Sequence, residues 1–186
     1  ENFNAQLIAE YNNSQGIPTR YISPGEAGIQ VTDLPQNAQI LDQSYEALYN
    51  LRAYNEKLII PGFFGVSRQN YIVTFPRGGS DITGAIVARG VRADLYENFT
   101  DVSGIFRANP TIVKNPEVID EITYREMREL SYAGFGVFHD EALQPLHKDR
   151  IPVVIKNTNR PNDTGTFIRH DREINSNNIV SGISCD

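Results

Sequence analysis

The sequence lacks most features of secreted, membrane-bound and nucleic-acid-binding proteins. Its single cysteine, Cys185, cannot form an internal disulfide and has no histidine near it in sequence, so we read it as structural or incidental. No apolar run approaches the roughly 20 residues that span a bilayer, and the N-terminus has no basic-then-apolar signal pattern. The net charge is −6, with no block of like charge. We therefore expect a cytoplasmic protein that binds neither membranes nor nucleic acid.

The composition indicates one globular domain of ordinary size. The 186 residues are 40% hydrophobic and 22% charged, a balance that supports a packed core. No cluster of histidine, cysteine and carboxylate side chains has the spacing of metal ligands. We therefore expect no metal site made of protein side chains alone.

The stretch at 71–88 predicts a strand, a glycine turn and a helix. An apolar run at 71–75 precedes Arg77, two glycines, Ser80 and Asp81, and small residues follow at 83–88. The glycines would let a ligand approach the backbone, Arg77 offers a planar fork for a carboxylate or phosphate, and Ser80 or Asp81 could cap the helix. The residues alone leave two alternatives open, an anion-binding loop and an ordinary capped turn.

Strand and helix patterns alternate along the rest of the chain. The helix near the N-terminus would present Phe3, Leu7, Ile8 and Tyr11 on one face. A continuous apolar run at 58–65 predicts a parallel strand buried on both faces. Alternation of this kind is typical of an α/β fold with a largely parallel sheet. The further predicted strands are 19–23, 29–32, 37–40, 94–99, 151–156 and 165–168, and the further helices are 44–55, 80–91, 123–133 and one from about 139. Thr123 and Glu126 are spaced as a capping box that opens the helix at 123–133.

Several motifs in register resemble the catalytic domain of aspartate kinases, over nearly the whole chain. They are Arg-Gly-Gly-Ser-Asp at 77–81, Asn-Phe-Thr-Asp at 98–101, Asp-Glu-Ile-Thr-Tyr at 120–124, Ile-Pro-Val at 151–153 and Lys-Asn-Thr-Asn at 156–159. The resemblance implies a three-layer α/β/α sandwich of the amino acid kinase type. It also implies transfer of the ATP γ-phosphoryl group to the side-chain carboxylate of L-aspartate, the first step of lysine, threonine and methionine biosynthesis.

The same resemblance implies that the chain is part of a longer protein. In the family a Lys-Phe-Gly-Gly phosphate loop precedes this region and ACT regulatory domains follow it. Residues 1–170 would then be the C-terminal part of the catalytic domain, incomplete at its N-terminus. Residues 171–186 would be a linker and the first residues of an ACT domain. We expect this chain to be inactive alone and the full-length protein to form a homo-oligomer.

Matching positions imply a site for L-aspartate. Arg77 would clamp a substrate carboxylate, while Ser80 and Asp81 would hold its polar end, with Asp81 against the ammonium group. Glu1 falls where the family carries a glutamate that also meets the ammonium, and Phe63 matches a phenylalanine lining the pocket. The alternatives are that Asp81 only caps the helix and that Phe63 only packs in the core.

Other positions imply a nucleotide site. Thr100 and Asp101 match the nucleotide-contacting Thr-Asp of the family, and Phe106 occupies an aromatic position near adenine and ribose. The alternative for Asp101 is a turn residue that ends a strand. ATP would bring Mg²⁺, held largely by phosphate oxygens and water.

The chain departs from the family at two nucleotide positions. Thr111 stands where many aspartate kinases have arginine, and Gly136 stands where they have lysine. Arg107, Lys114 or a lysine outside this chain could supply the missing positive charge. His139, nearby, is either a ligand contact or a helix-start residue.

Two other functions remain as alternatives. One is another acid kinase of the same fold, such as a glutamate or acetylglutamate kinase, against which the motifs at 77–81 and 156–159 argue. The other is a non-catalytic module that binds a nucleotide or an amino acid for regulation.

Overall fold

The computed structural model describes residues 1–134, 140–173 and 181–183, without the side chains of Asp140 and Glu141. The chain divides into two compact units, Glu1–Ala93 and Asp94–Asp186. No helix in the described ranges is long and apolar enough to cross a membrane. The predicted positions Gly136 and His139 lie outside the described residues.

The first unit combines helices with short, mostly parallel strands. Strand β1 pairs in parallel with β3, β2 pairs in parallel with β4, and β4 pairs with β5 in an antiparallel hairpin. Ile29, Leu48, Phe75 and Ile86 are fully buried in its core. Its elements are α1 (Asn2–Ser14), β1 (Thr19–Tyr21), β2 (Gln30–Val31), α2 (Ser44–Tyr49), a 3-10 turn (Asn50–Ala53), β3 (Lys57–Ile59), β4 (Phe64–Ser67), β5 (Ile72–Thr74) and α3 (Gly79–Gly90).

The prediction of one buried strand at 58–65 is wrong. The run is divided between β3 and β4, which pair with different strands in different sheets, and β3 is only partly buried. Between them the chain turns at Phe63, whose φ of 79° lies in the left-handed region. The predicted strand at 37–40 is also wrong, because only a single bridge joins Ile40 to Val31.

Helix α1 forms as predicted, but its apolar face is exposed. Phe3 is 77% exposed, and Leu7, Ile8 and Tyr11 are also exposed. The side chains that α1 buries are the small ones of Ala5 and Ala9.

The second unit contains a four-stranded sheet in the order β6-β8-β9-β7. The pairs β6–β8 and β7–β9 are parallel and β8–β9 is antiparallel. Strand β7 was not predicted, because its residues belong to the motif at 120–124 and to the start of the predicted helix at 123–133. The elements are β6 (Tyr96–Thr100), β7 (Glu121–Thr123), α4 (Tyr124–Tyr132), α5 (Asp140–Lys148), β8 (Val153–Asn157) and β9 (Thr166–Arg169).

Helix α4 begins with the predicted capping box. The Thr123 hydroxyl accepts a hydrogen bond from the Glu126 N–H, and the Glu126 carboxylate accepts one from the Thr123 N–H. Arg172 adds a bidentate ion pair to that carboxylate, at 2.5 Å from Nη2 to Oε1. Four of the six strand pairs in the described part of the chain are parallel, which confirms the predicted α/β class.

Candidate functional site

The turn that joins β5 to α3 is built on Gly78. Its φ of 81° lies in the left-handed region, which glycine enters at little cost, and Gly78 is the residue before the first helical one. No side chain caps the helix. The prediction that Ser80 or Asp81 caps α3 is therefore wrong, because the helix already begins at Gly79 and both residues lie in its first turn. A carboxylate in that position interacts favourably with the helix dipole.

The first turn of α3 contacts the start of the chain. The Ser80 hydroxyl donates a hydrogen bond to Oε1 of Glu1 at 2.5 Å. A Cβ added to Gly62 would lie 3.0 Å from the Ser80 Cα and 3.2 Å from Oε2 of Glu1. Glycine at 62 therefore leaves open the space beside the second carboxylate oxygen, which accepts no hydrogen bond from the described residues.

Phe63 lies beside this cluster. Its ring contacts Gly79, where an added Cβ would come within 2.8 Å of the Phe63 Cδ2 atom. The Phe63 N–H donates to the buried hydroxyl of Thr83 at 3.0 Å, and its carbonyl accepts from the Phe75 N–H at 2.9 Å. Phe63 is 40% exposed, so it is not a core residue.

Arg77 is exposed, and its guanidinium forms no ion pair or hydrogen bond with any described residue. It is separated from Ser80 and Asp81 only by the two turn glycines. Residues predicted from the sequence thus meet in the first unit, namely Glu1 with Ser80 and Phe63 with the start of α3. Thr83 had no assigned role, because its importance depends on a contact distant in sequence.

In the second unit the predicted nucleotide residues Thr100 and Asp101 lie at the C-terminal end of β6. The Thr100 hydroxyl donates to Oδ1 of Asp101 at 3.2 Å, and the Asp101 side chain is exposed. The Thr158 N–H donates to the Thr100 carbonyl at 2.8 Å, and Nδ2 of Asn157 donates to the Asp101 carbonyl at 3.3 Å. Asn157 had no role assigned from the sequence, although the Lys-Asn-Thr-Asn motif was a signal for it.

Phe106 and Arg107 lie further along the same loop. Phe106 is half-buried and forms an antiparallel bridge with Val118. Nε of Arg107 lies 3.4 Å from a carboxylate oxygen of Glu117, so this cation already has a partner. Lys114, the other candidate for phosphate charge within the chain, is exposed.

A separate cavity of about 510 Å³ lies between α4 and α5 and contains none of the predicted site residues. His147 is exposed there, with its ring stacked 5.9 Å from that of His170. Within the described ranges no three metal-binding side chains come together. The cavity is lined by Tyr124, Arg125, Arg128, Leu143, Gln144, His147 and Lys148.

Comparison with known proteins gives consistent matches. The family model described as the amino acid kinase family matches residues 1–157. Aspartokinase 3 of Bacillus subtilis (strain 168) is 54% identical over all 186 residues, which correspond to 41% of that protein.

Two solved structures show the same fold. The aspartate kinase of Clostridium acetobutylicum is 43% identical, with a TM-score of 0.78 over 92% of this chain and 38% of the other. Aspartokinase III of E. coli, solved in complex with aspartate and ADP, is 26% identical, with a TM-score of 0.82 over 91% of this chain and 38% of the other. The chain thus spans about two fifths of the length of these relatives.

Proposed function

This chain belongs to the amino acid kinase family, and from that premise we propose that the full-length protein containing it is an aspartate kinase. The reaction transfers the γ-phosphoryl group of ATP to the side-chain carboxylate of L-aspartate and yields 4-phospho-L-aspartate and ADP. The 54% identity to an aspartokinase over the whole chain supports this substrate. Because the chain spans 41% of that relative's length, we propose that the chain alone does not turn over substrate.

The observation that carries the proposal is the cluster around Glu1. Its carboxylate is fixed through one oxygen by Ser80, while the space at the other oxygen is kept open by Gly62. We assign that oxygen, together with Asp81, to the substrate ammonium group. Arg77, an exposed guanidinium without a partner among the described residues, is assigned to the α-carboxylate. The two protein carboxylates, Glu1 and Asp81, suit the ammonium group of an amino acid, and the guanidinium of Arg77 suits its α-carboxylate. L-Aspartate carries both groups and an additional side-chain carboxylate.

Phe63 would provide the apolar wall of the aspartate pocket. Its ring is partly exposed and rests on the start of α3, the helix that carries Ser80 and Asp81. Such a wall excludes water and restricts the orientation of a short side chain. Positioning of this kind is a main part of phosphoryl-transfer catalysis, since the transfer needs little covalent chemistry from the protein.

The residues at and after the C-terminal end of β6 have donors and acceptors that fit a nucleotide. Thr100 and the exposed carboxylate of Asp101 would bind hydroxyl groups, and the half-buried Phe106 would offer an apolar surface to the base. When bound, ATP would supply the γ-phosphoryl group and Mg²⁺ would offset phosphate charge. That ion would be held mostly by phosphate oxygens and water. Arg107 or Lys114 would add positive charge.

The biological setting follows from the reaction. We propose a cytoplasmic enzyme of lysine, threonine and methionine biosynthesis that forms a homo-oligomer and binds neither nucleic acid nor membranes. Within it, residues 1–170 would belong to the catalytic domain and 171–186 would lead into an ACT regulatory domain.

An acceptor panel tests the proposal. ADP release by the full-length protein, with ATP and Mg²⁺, should require L-aspartate and be negligible with L-glutamate or N-acetyl-L-glutamate. Preference for a glutamate acceptor would identify another acid kinase of the same fold. Binding of an amino acid or nucleotide without ADP release from any acceptor would favour a regulatory module.

A further inference from the structure

Thr83 lies outside the residues assigned to substrate, yet its hydroxyl joins two parts of the aspartate site. Its side chain is buried, at 3% exposure. The hydroxyl donates to the carbonyl of Gly79 at 2.8 Å, a contact to the preceding helical turn that threonine commonly makes. It also accepts from the N–H of Phe63, 20 residues earlier, at 3.0 Å. That second bond does not belong to the helix.

The backbone held by this bond is strained. Phe63 has a φ of 79°, a region that bulky residues rarely adopt and that persists only where the surroundings enforce it. The surroundings here are two hydrogen bonds, one from the Phe63 N–H to Thr83 and one from the Phe75 N–H to the Phe63 carbonyl. Strain of this type concentrates at functional sites, where it fixes a side chain in a required direction.

We propose that Thr83 is a positioning residue for aspartate binding, acting through Phe63. This inference rests on the proposed function. Its hydroxyl fixes the turn at 61–63 against the first turn of α3, with the Phe63 ring on Gly79 and the backbone of Gly62 beside Ser80. The arrangement determines both the apolar wall and the open space next to Glu1. Thr83 itself is too deeply buried to contact substrate.

The hydroxyl, rather than the shape of the side chain, is what the turn requires. Valine has the same branched shape but accepts no hydrogen bond, so Thr83→Val would leave the Phe63 N–H without its partner. The turn would then relax from its left-handed conformation, because one of its two constraints is gone. Phe63 and Gly62 would shift relative to Ser80 and Glu1, which weakens aspartate binding and leaves the nucleotide residues of the second unit unaffected.

The test uses steady-state kinetics of the full-length protein. Thr83→Val is expected to raise the KM for L-aspartate about tenfold and to change the KM for ATP less than twofold. Thr83→Ser keeps the hydroxyl and should return the KM for aspartate to within about twofold of wild type. Thr83→Ala removes the hydroxyl without adding bulk, so it should match Thr83→Val and replaces it if the valine variant does not fold.

Thr32→Val is the matched control. The Thr32 hydroxyl also accepts a hydrogen bond from a backbone N–H of the same unit, that of Gln39 at 3.0 Å, and the described hydrogen bonds of Thr32 join it to Gln39 rather than to a site residue. This variant should leave both KM values unchanged.

The outcomes distinguish a failure of the positioning role from a failure of the proposed function. An unchanged KM for aspartate in Thr83→Val or Thr83→Ala, or an equal rise in the KM for ATP, overturns the positioning role while the kinase assignment stands. A wild-type protein that does not phosphorylate aspartate overturns the proposed function, and the positioning role with it.

Discussion

The Ser80 hydroxyl and the Glu1 carboxylate, 79 residues apart in sequence, form a 2.5 Å hydrogen bond. It joins the first turn of α3 to the residue before α1. It orients one carboxylate oxygen of Glu1, while the other oxygen accepts no hydrogen bond from the described residues. A fixed carboxylate beside a glycine is a suitable receptor for an ammonium group, since no rearrangement is needed when the ligand binds.

Arg77→Gln should reduce aspartate use without destabilising the protein. The guanidinium is exposed and has no partner among the described residues, so its loss should change the free energy of unfolding by less than about 0.5 kcal/mol. Loss of a charge-assisted pair with substrate should lower kcat/KM for L-aspartate by roughly 10- to 100-fold. Steady-state kinetics and urea unfolding measure the two effects.

Arg68→Gln is the control for that experiment. Arg68 is an exposed arginine in the β4–β5 loop of the same unit, outside the proposed site. If both arginine variants lower kcat/KM equally, Arg77 has no specific role in binding aspartate.

Asp101→Asn should weaken nucleotide binding alone. The exposed carboxylate follows β6, and a hydrogen bond to an ionised acceptor contributes about 1.5–3 kcal/mol. The KM for ATP should rise by roughly tenfold or more, with the KM for aspartate within twofold of wild type. Asp94→Asn, an exposed carboxylate just before the other end of β6, should change neither value. An effect on aspartate alone would place Asp101 outside the nucleotide site.

Glu126→Gln should destabilise the chain at neutral pH. The hydrogen bonds that the Glu126 carboxyl accepts, chiefly those from Arg172, hold its pKa well below the ordinary value of 4.5. Arg172 is nearly buried and would lose its charged partner, so the free energy of unfolding should fall by about 3 kcal/mol. Urea unfolding of the purified chain at pH 7 measures this difference.

The contribution of Glu126 to the free energy of unfolding should depend on pH in a defined direction. Because the pKa is lower in the folded state, the ionised carboxylate stabilises the fold above about pH 4.5, and this stabilisation is lost as the pH falls below it. Wild type should therefore lose more stability between pH 5 and pH 3 than Glu126→Gln does. Glu129→Gln, on the exposed face of the same helix, should behave as wild type. Parallel pH profiles for wild type and Glu126→Gln would contradict the ion-pair account.

Gly165→Ala should be far more damaging than Gly16→Ala. Both glycines have nearly the same left-handed φ, 74° and 75°, so the conformational cost of alanine is about 1 kcal/mol in each. At Gly165, however, the new Cβ would lie 2.1 Å from the Ile155 carbonyl oxygen, whereas nothing lies within 4 Å at Gly16. Thermal unfolding should show a loss above about 3 kcal/mol, or no folding, for Gly165→Ala only. Equal losses would mean that the β8–β9 contact is not as close as described.

Features that depend on neighbouring residues were predictable from the sequence. The strand, glycine turn and helix at 71–91 and the capping box of Thr123 and Glu126 are encoded by short local patterns, and both are confirmed. The start of α3 was misplaced because the left-handed Gly78 begins the helix without a side-chain cap, and such a start has no distinct residue signature.

Features that depend on distant contacts were not predictable. The run at 58–65 looks continuous because its break follows from β3 and β4 joining different sheets. The roles of Thr83 and Asn157 arise from partners 20 and 56 residues away, which no local pattern encodes. Motif resemblance located Glu1 and Ser80 separately, but only the structure shows that they touch.

The most direct test of the central claim is to identify which carboxylate of L-aspartate becomes phosphorylated. The full-length protein is incubated with ATP, Mg²⁺, L-aspartate and hydroxylamine, which converts an acyl phosphate into a stable hydroxamate that mass spectrometry can assign. With Arg77 on the α-carboxylate, the account predicts the side-chain hydroxamate only, and greatly reduced product from Arg77→Gln. Formation of the α-hydroxamate, or no ATP-dependent hydroxamate at all, would contradict it.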